Sequence, residues 1–283
     1  MVSLGSIAPK CPEHGPPAQI HAARSPEIIR ACGALIGSRI GLLPNCWAFG
    51  QGWVKAVADL PTPRSSATAA AHCAGAYAAL VSTVVSRLHD LPGGRFEPSD
   101  PVVALTFDDG PGVATAPIAQ VLNRMDVPAT FFVVGSVASE APDRVVRLAA
   151  AGHTVGGHSW SHPRGDAVND AQVVDECERT AELIAELTGH PAPFVRPPYR
   201  KADASRYADL LGGRGFTTVT WSVDPRDWAT TDPVEIVREV LDNLHTGAIV
   251  LLHDGGRNRW ATLDAVPLIV SGARLAGYRF VAL

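Results

Sequence analysis

Five short polar clusters beyond residue 100 combine residue types that hydrolytic chemistry uses. They are Asp108-Asp109, His158 with His162, Arg196 with Tyr199, Asp224 with Asp227 and Trp228, and His253-Asp254. Each alone has a plain reading. Tandem aspartates before Gly110-Pro111 make a turn. An H-x₃-H pair is either two surface histidines or two imidazoles aimed at one metal. Arg196 beside two prolines stiffens a loop, and His253 after four aliphatic residues ends a strand. Taken together, the set contains two histidines and one aspartate for a metal. It leaves a second aspartate beside them, an arginine to hold it, and another histidine with an acidic partner, which are the parts of metal-assisted hydrolysis.

The elements that must carry these clusters alternate regularly after Pro101. β-rich runs at 102–107, 129–134, 154–157, 194–196, 217–221, 248–252 and 279–283 predict seven strands. Helical periodicity predicts helices at 116–124, 144–151, 171–187, 204–211, 233–244 and 263–275, with Asp232 as an N-cap and Gly189 past a helix end. Such alternation implies parallel strands with helices outside. All five clusters fall after strands, at the end where α/β folds gather catalytic groups. Convergence from five strands favours a barrel-like closure over an open sheet.

The strings TFDDGP (106–111), HSWSH (158–162), RPPY (196–199), DPRDW (224–228) and LLHD (251–254) resemble, in order, the five motifs of the polysaccharide deacetylases, carbohydrate esterase family 4. The resemblance covers residues 101–283. It implies a distorted seven-stranded (β/α) barrel and removal of N-acetyl groups from N-acetylglucosamine units of chitin, chitooligosaccharides or peptidoglycan. O-deacetylation of acetylated xylan and a catalytically inactive glycan-binding domain are the alternatives. It implies a divalent metal, zinc with cobalt or nickel as substitutes, on Asp109, His158 and His162. Asp108 would be the general base, Arg196 its partner, and the Tyr199 backbone N–H an oxyanion donor. His253 would be the general acid, oriented by Asp227. Trp228 and Leu251 would line the acetyl pocket, with Leu251 on the strand face of His253. Val250 stands where the fifth motif has leucine, and Arg200 where many members have glycine.

The remaining features bound the partners. A net charge of −4 gives no reason to expect nucleic acid. A glycan ligand and a monomer are expected. The first hundred residues form an N-terminal segment with no motif, and residues 91–94 read as a linker that makes residues 1–92 dispensable for catalysis. Within the segment, residues 65–86 lack charge and hold eight alanines. An Ala-rich helix is expected there, with membrane association as the second reading. The start MVSLGSIAPK has no apolar run of a signal peptide, while the resemblance implies an extracellular or cell-envelope location. Five cysteines cannot pair fully within one chain, and Cys11 with His14 is an isolated C-x-x-H without a second pair to complete a zinc site.

Overall fold

The computed structural model describes residues 84–199 and 203–283. The Cys11–His14 pair, the cysteines other than Cys177, Arg200 and residues 65–83 lie outside the described residues. Among the described residues there are eight strands: β1 (Val84–Val85), β2 (Val102–Gly110), β3 (Thr130–Val133), β4 (Thr154–Gly157), β5 (Phe194–Val195), β6 (Thr217–Val219), β7 (Ile249–His253) and β8 (Arg279–Phe280). The α-helices among the described residues are α1 (Thr115–Arg124), α2 (Gly135–Glu140), α3 (Pro142–Ala150), α4 (Asp170–Thr188), α5 (Ala204–Leu211), α6 (Pro233–Asn243) and α7 (Trp260–Leu275).

Strand β2 is central because nearly all of it is buried. A run such as Val-Val-Ala-Leu-Thr-Phe suits a strand covered on both faces. Its alternate residues divide the core. Val103, Leu105 and Phe107 join the outer layer with Ile118 and Leu122 of α1 and Val266 and Ile269 of α7. Val102 and Ala104 join a second cluster with Val85, Leu88, Ile249 and Phe132. Further along that same face stand Thr106 and then Asp108, so one column passes from apolar to catalytic residue types.

The parallel sheet runs β1-β6-β5-β4-β3-β2-β7, with β8 paired to the start of β2. Beyond β6 the chain bridges to β7, where Leu251 donates its N–H to the Val223 carbonyl at 2.9 Å. This curls the sheet into the barrel-like form that the motif order implies. All seven expected strands are present, but β8 is shorter than expected and lies off the main path. The seventh place on that path is taken by β1, upstream of the expected boundary. Val84 pairs with Thr218 and Val85 with Val219. Leu88 and Leu91 are buried in the same cluster as Val85. The folded unit therefore begins before residues 91–94. The expected helix at 65–86 cannot reach its last residues, since Val84–Val85 is a strand. Among the described residues, no helix is long and apolar enough to cross a membrane.

Local sequence explains the helices that flank the site. Asn169 and Gln172 form a reciprocal capping box at the start of α4, and Gly189 ends it in the left-handed region. Asp232 caps α6 through the Val234 N–H at 2.8 Å. Helix α2 was not expected, because six residues are too few to show a period.

Candidate active site

The register of β2 against β7 pairs Asp108 with His253. Against β3 the register of β2 shifts between Asp108 and Gly110, and this bulge turns Asp109 into the left-handed region at φ 71°. The tandem aspartates thus occupy the strand's own end and diverge. Gly255 allows the close packing behind them, since a Cβ there would lie 1.9 Å from the Asp109 carbonyl oxygen.

Asp109, His158 and His162 offer three donor atoms within 4.8 Å of one another. Asp109 Oδ1 is 3.5 Å from His158 Nε2 and 3.1 Å from His162 Nε2. Donors about 2.0–2.2 Å from a tetrahedral ion stand about 3.3–3.6 Å apart, so the cluster has the size of one ion. His158 Nδ1 lies 2.8 Å from the Arg196 carbonyl, which can only accept. The proton is therefore on Nδ1, and the Nε2 lone pair faces the cluster. Burial pushes the His158 pKa below its ordinary value although two carboxylates oppose it, which favours the neutral ligand form. Burial raises Asp109, but the His162 hydrogen bond and the charges of His158, His253 and His162 outweigh it and hold the carboxyl below the usual range. The residues present fit a divalent cation with positions left open for other ligands.

Asp108 sits beside this cluster, with Oδ2 3.8 Å from His158 Nε2. Its other oxygen accepts from Arg196 Nη1 at 2.7 Å. Arg196 is fully buried yet satisfied. It donates to Thr106 Oγ1 at 2.8 Å and to the Thr220 carbonyl at 2.9 Å, and its guanidinium lies over the Phe132 ring. Opposite, His253 Nδ1 is 2.7 Å from Asp227 Oδ1, while Asp227 Oδ2 accepts the His253 N–H at 2.9 Å. Burial pulls the His253 pKa down, but the bond to Asp227 and the charges of Asp227, Asp108 and Asp109 raise it overall.

Asp108, Asp109, His158, His162 and His253 line one open groove of about 830 Å³ together with Tyr199, Trp228 and Leu251, while Arg196 and Asp227 stand behind it on Asp108 and His253. All five clusters thus meet, and Asp224 lies on the rim. Tyr199 and Trp228 present exposed rings, and the Tyr199 ring stands edge-on to His162 at 4.4 Å. Among the described residues, Asp109, Ser159, His162, Tyr199 and Arg226 are five of the six non-glycine residues with positive φ. Backbone strain of this kind gathers where side chains must be aimed.

Several supporting residues carry no signal in the motifs. Thr262 of α7 donates to Asp227 Oδ2 at 2.7 Å, and Arg259 reaches within 3.9 Å of Asp109 Oδ2. Asp254 does not serve His253. It is buried, accepts from the Thr115 hydroxyl, and is pushed up to about 7 by burial and the charges of Asp109 and Asp108 against that bond. The Thr115 oxygen accepts in turn from Gly112 N–H at 2.7 Å, which ties down the loop after Asp109.

Curled parallel strands carrying this site have a counterpart among known proteins: the chain belongs to the polysaccharide deacetylase family, whose model matches residues 96–214. It is 36% identical over 183 residues to a peptidoglycan-N-acetylglucosamine deacetylase of Bacillus cereus, covering 64% of this chain and 66% of that one. It is 40% identical over 155 residues to a chitooligosaccharide deacetylase of Bradyrhizobium sp., covering 54% of this chain and 70% of that one. The fold also matches the crystal structure of a peptidoglycan N-acetylglucosamine deacetylase, with a TM-score of 0.65, 31% identity and coverage of 73% and 93%. The chain spans just under two thirds of the Bacillus cereus relative and 38% of a Listeria monocytogenes one.

Proposed function

We propose that this chain is a divalent-metal-dependent hydrolase that removes N-acetyl groups from N-acetylglucosamine units of a polysaccharide, chitin-like or peptidoglycan. The observation that carries this reading is the meeting, in one groove, of the Asp109–His158–His162 cluster with Asp108 on one side and His253 on the other. The names of the two relatives above support the substrate class. Such a polymer goes with an extracellular or cell-envelope location.

Asp109, His158 and His162 would hold the divalent ion, zinc by the donor set with cobalt or nickel as substitutes, which when bound would supply Lewis acidity to the amide carbonyl and lower the pKa of water from 15.7 to about 7. Asp108 takes the water proton, held in place by Arg196. The backbone N–H of Tyr199 donates to the developing oxyanion. His253 gives its Nε2 proton to the departing amine, because Nδ1 is committed to Asp227. Leu251 and Trp228 line the groove beside His253, where an acetyl methyl can be buried.

Acetate release should be measured on chitooligosaccharides, peptidoglycan and acetylated xylan in parallel. Release from an N-acetylglucosamine polymer, abolished by a chelator and restored by zinc or cobalt, is the expected result. Full activity in metal-free protein, or release from xylan alone, refutes the proposal.

A further inference from the structure

The segment between the two metal-site histidines is held in an unfavourable shape by contacts with α2 and α4. Ser159 and His162 both sit in the left-handed region, at φ 62° and 56°. Within the segment, Ser159 Oγ accepts the His162 N–H at 3.1 Å, and the remaining bonds that hold it come from two helices. One side is fixed by the start of α2, where Gly135 N–H donates to the Ser159 carbonyl at 2.9 Å and Ser136 N–H to the Trp160 carbonyl at 2.8 Å. The other side is fixed by one carboxylate of α4. Glu176 Oε2 accepts the Trp160 N–H at 2.8 Å and the Ser161 N–H at 2.6 Å, and Oε1 accepts the Ser161 hydroxyl at 2.8 Å. Two successive backbone N–H groups facing one oxygen form an anion nest, here filled by the protein's own side chain. Arg179, three residues further along the same helix, lies 3.6 Å from the Trp160 ring centroid.

We propose that Glu176 is a positioning residue that sets metal affinity by holding the 159–162 loop in its ligating shape. It touches neither donor atom, yet its three bonds fall on the two residues that precede His162. Without them, two N–H groups lose their partner and the loop relaxes toward ordinary φ values. His162 then turns, and its Nε2 leaves the 3.1 Å contact with Asp109 that closes the cluster. Helix α4 stays in place, because Val173, Cys177, Thr180 and Ile184 anchor its buried face. Partners of this indirect kind are worth about 10–100-fold in metal affinity.

The inference rests on the metal site proposed above, and one experiment separates the two. Zinc affinity of the full chain is measured by calorimetry with a competing chelator, alongside the melting temperature of the metal-free protein. Glu176→Ala should bind zinc about 10–100-fold more weakly while the metal-free melting temperature stays close to that of the parent. Glu176→Asp keeps the charge but draws the carboxylate back by one methylene, so it should also weaken binding. Glu176→Gln keeps the reach and an accepting oxygen, so it should fall between parent and Ala. Glu178→Ala, on the same helix, breaks an ion pair with Arg214 and should bind as the parent does. Parent-like affinity in either the folded Ala or the folded Asp variant overturns the role of Glu176 alone. A parent protein that binds no zinc overturns the metal site, and the role of Glu176 with it.

Discussion

Removing residues 84–93 should cost most of the stability of the catalytic unit, although none of them lies in a motif. Val85, Leu88 and Leu91 are buried to 0%, 0% and 5% exposure. Each fully buried aliphatic side chain contributes about 1.5–3 kcal/mol, so the three together contribute about 5–9 kcal/mol. The backbone adds to this. The Val85 carbonyl accepts the Thr220 N–H at 2.7 Å, and Leu88 N–H donates to the Gly247 carbonyl at 2.9 Å. A domain is stable by about 5–15 kcal/mol in total, so the loss is of the same size as the whole. It also leaves β6 as a bare sheet edge. The assay is urea denaturation of two shortened proteins, one lacking residues 1–83 and one lacking residues 1–93. The first should unfold cooperatively, and the second should be unfolded or aggregated without denaturant. Equal midpoints for the two would refute the reasoning and return the boundary to residues 91–94.

Four further outcomes follow from the site. Asp108→Asn should lower kcat by about 10²–10⁴-fold while zinc still binds, because the donor cluster is untouched; loss of zinc binding measured by calorimetry would mean that the roles of the two aspartates are exchanged. Activity should fall on the alkaline side as His253 loses its proton through a pKa raised by Asp227, and Asp227→Asn should move that limb of the pH–rate profile to lower pH. The same raised pKa contributes stability that is full below the unfolded histidine value and lost as pH rises through the folded one; melting temperatures of the parent and His253→Gln across that window check the sign. Finally, His253→Ala should slow an N-acetyl substrate far more than an activated acetate ester, whose leaving group departs unprotonated, and equal losses would mark His253 as structural.

The groove was legible in the linear sequence to the extent that its chemistry is local. The predicted β-rich runs place Asp108-Asp109, His158, His162, Arg196, Asp227 and His253 at or just past strand ends, and parallel α/β geometry sends such residues to one end of a barrel. Periodicity found the strands and the capped helices α4 and α6 for the same reason, because a cap or a buried face is written within a few neighbouring residues. What had no local signature was decided by tertiary structure. Two-residue β1 has no period to detect, and it belongs to the fold only because β6, more than a hundred residues later, offers it an edge. The tautomer of His158 depends on a carbonyl 38 positions away. Glu176 reads as an ordinary polar position of a helix and Thr262 as the residue before one, until packing brings them onto the 159–162 loop and onto Asp227. The residue types that meet in the groove are thus set by sequence, whereas their protonation, aim and supports arise from contacts that exist only once the sheet has curled.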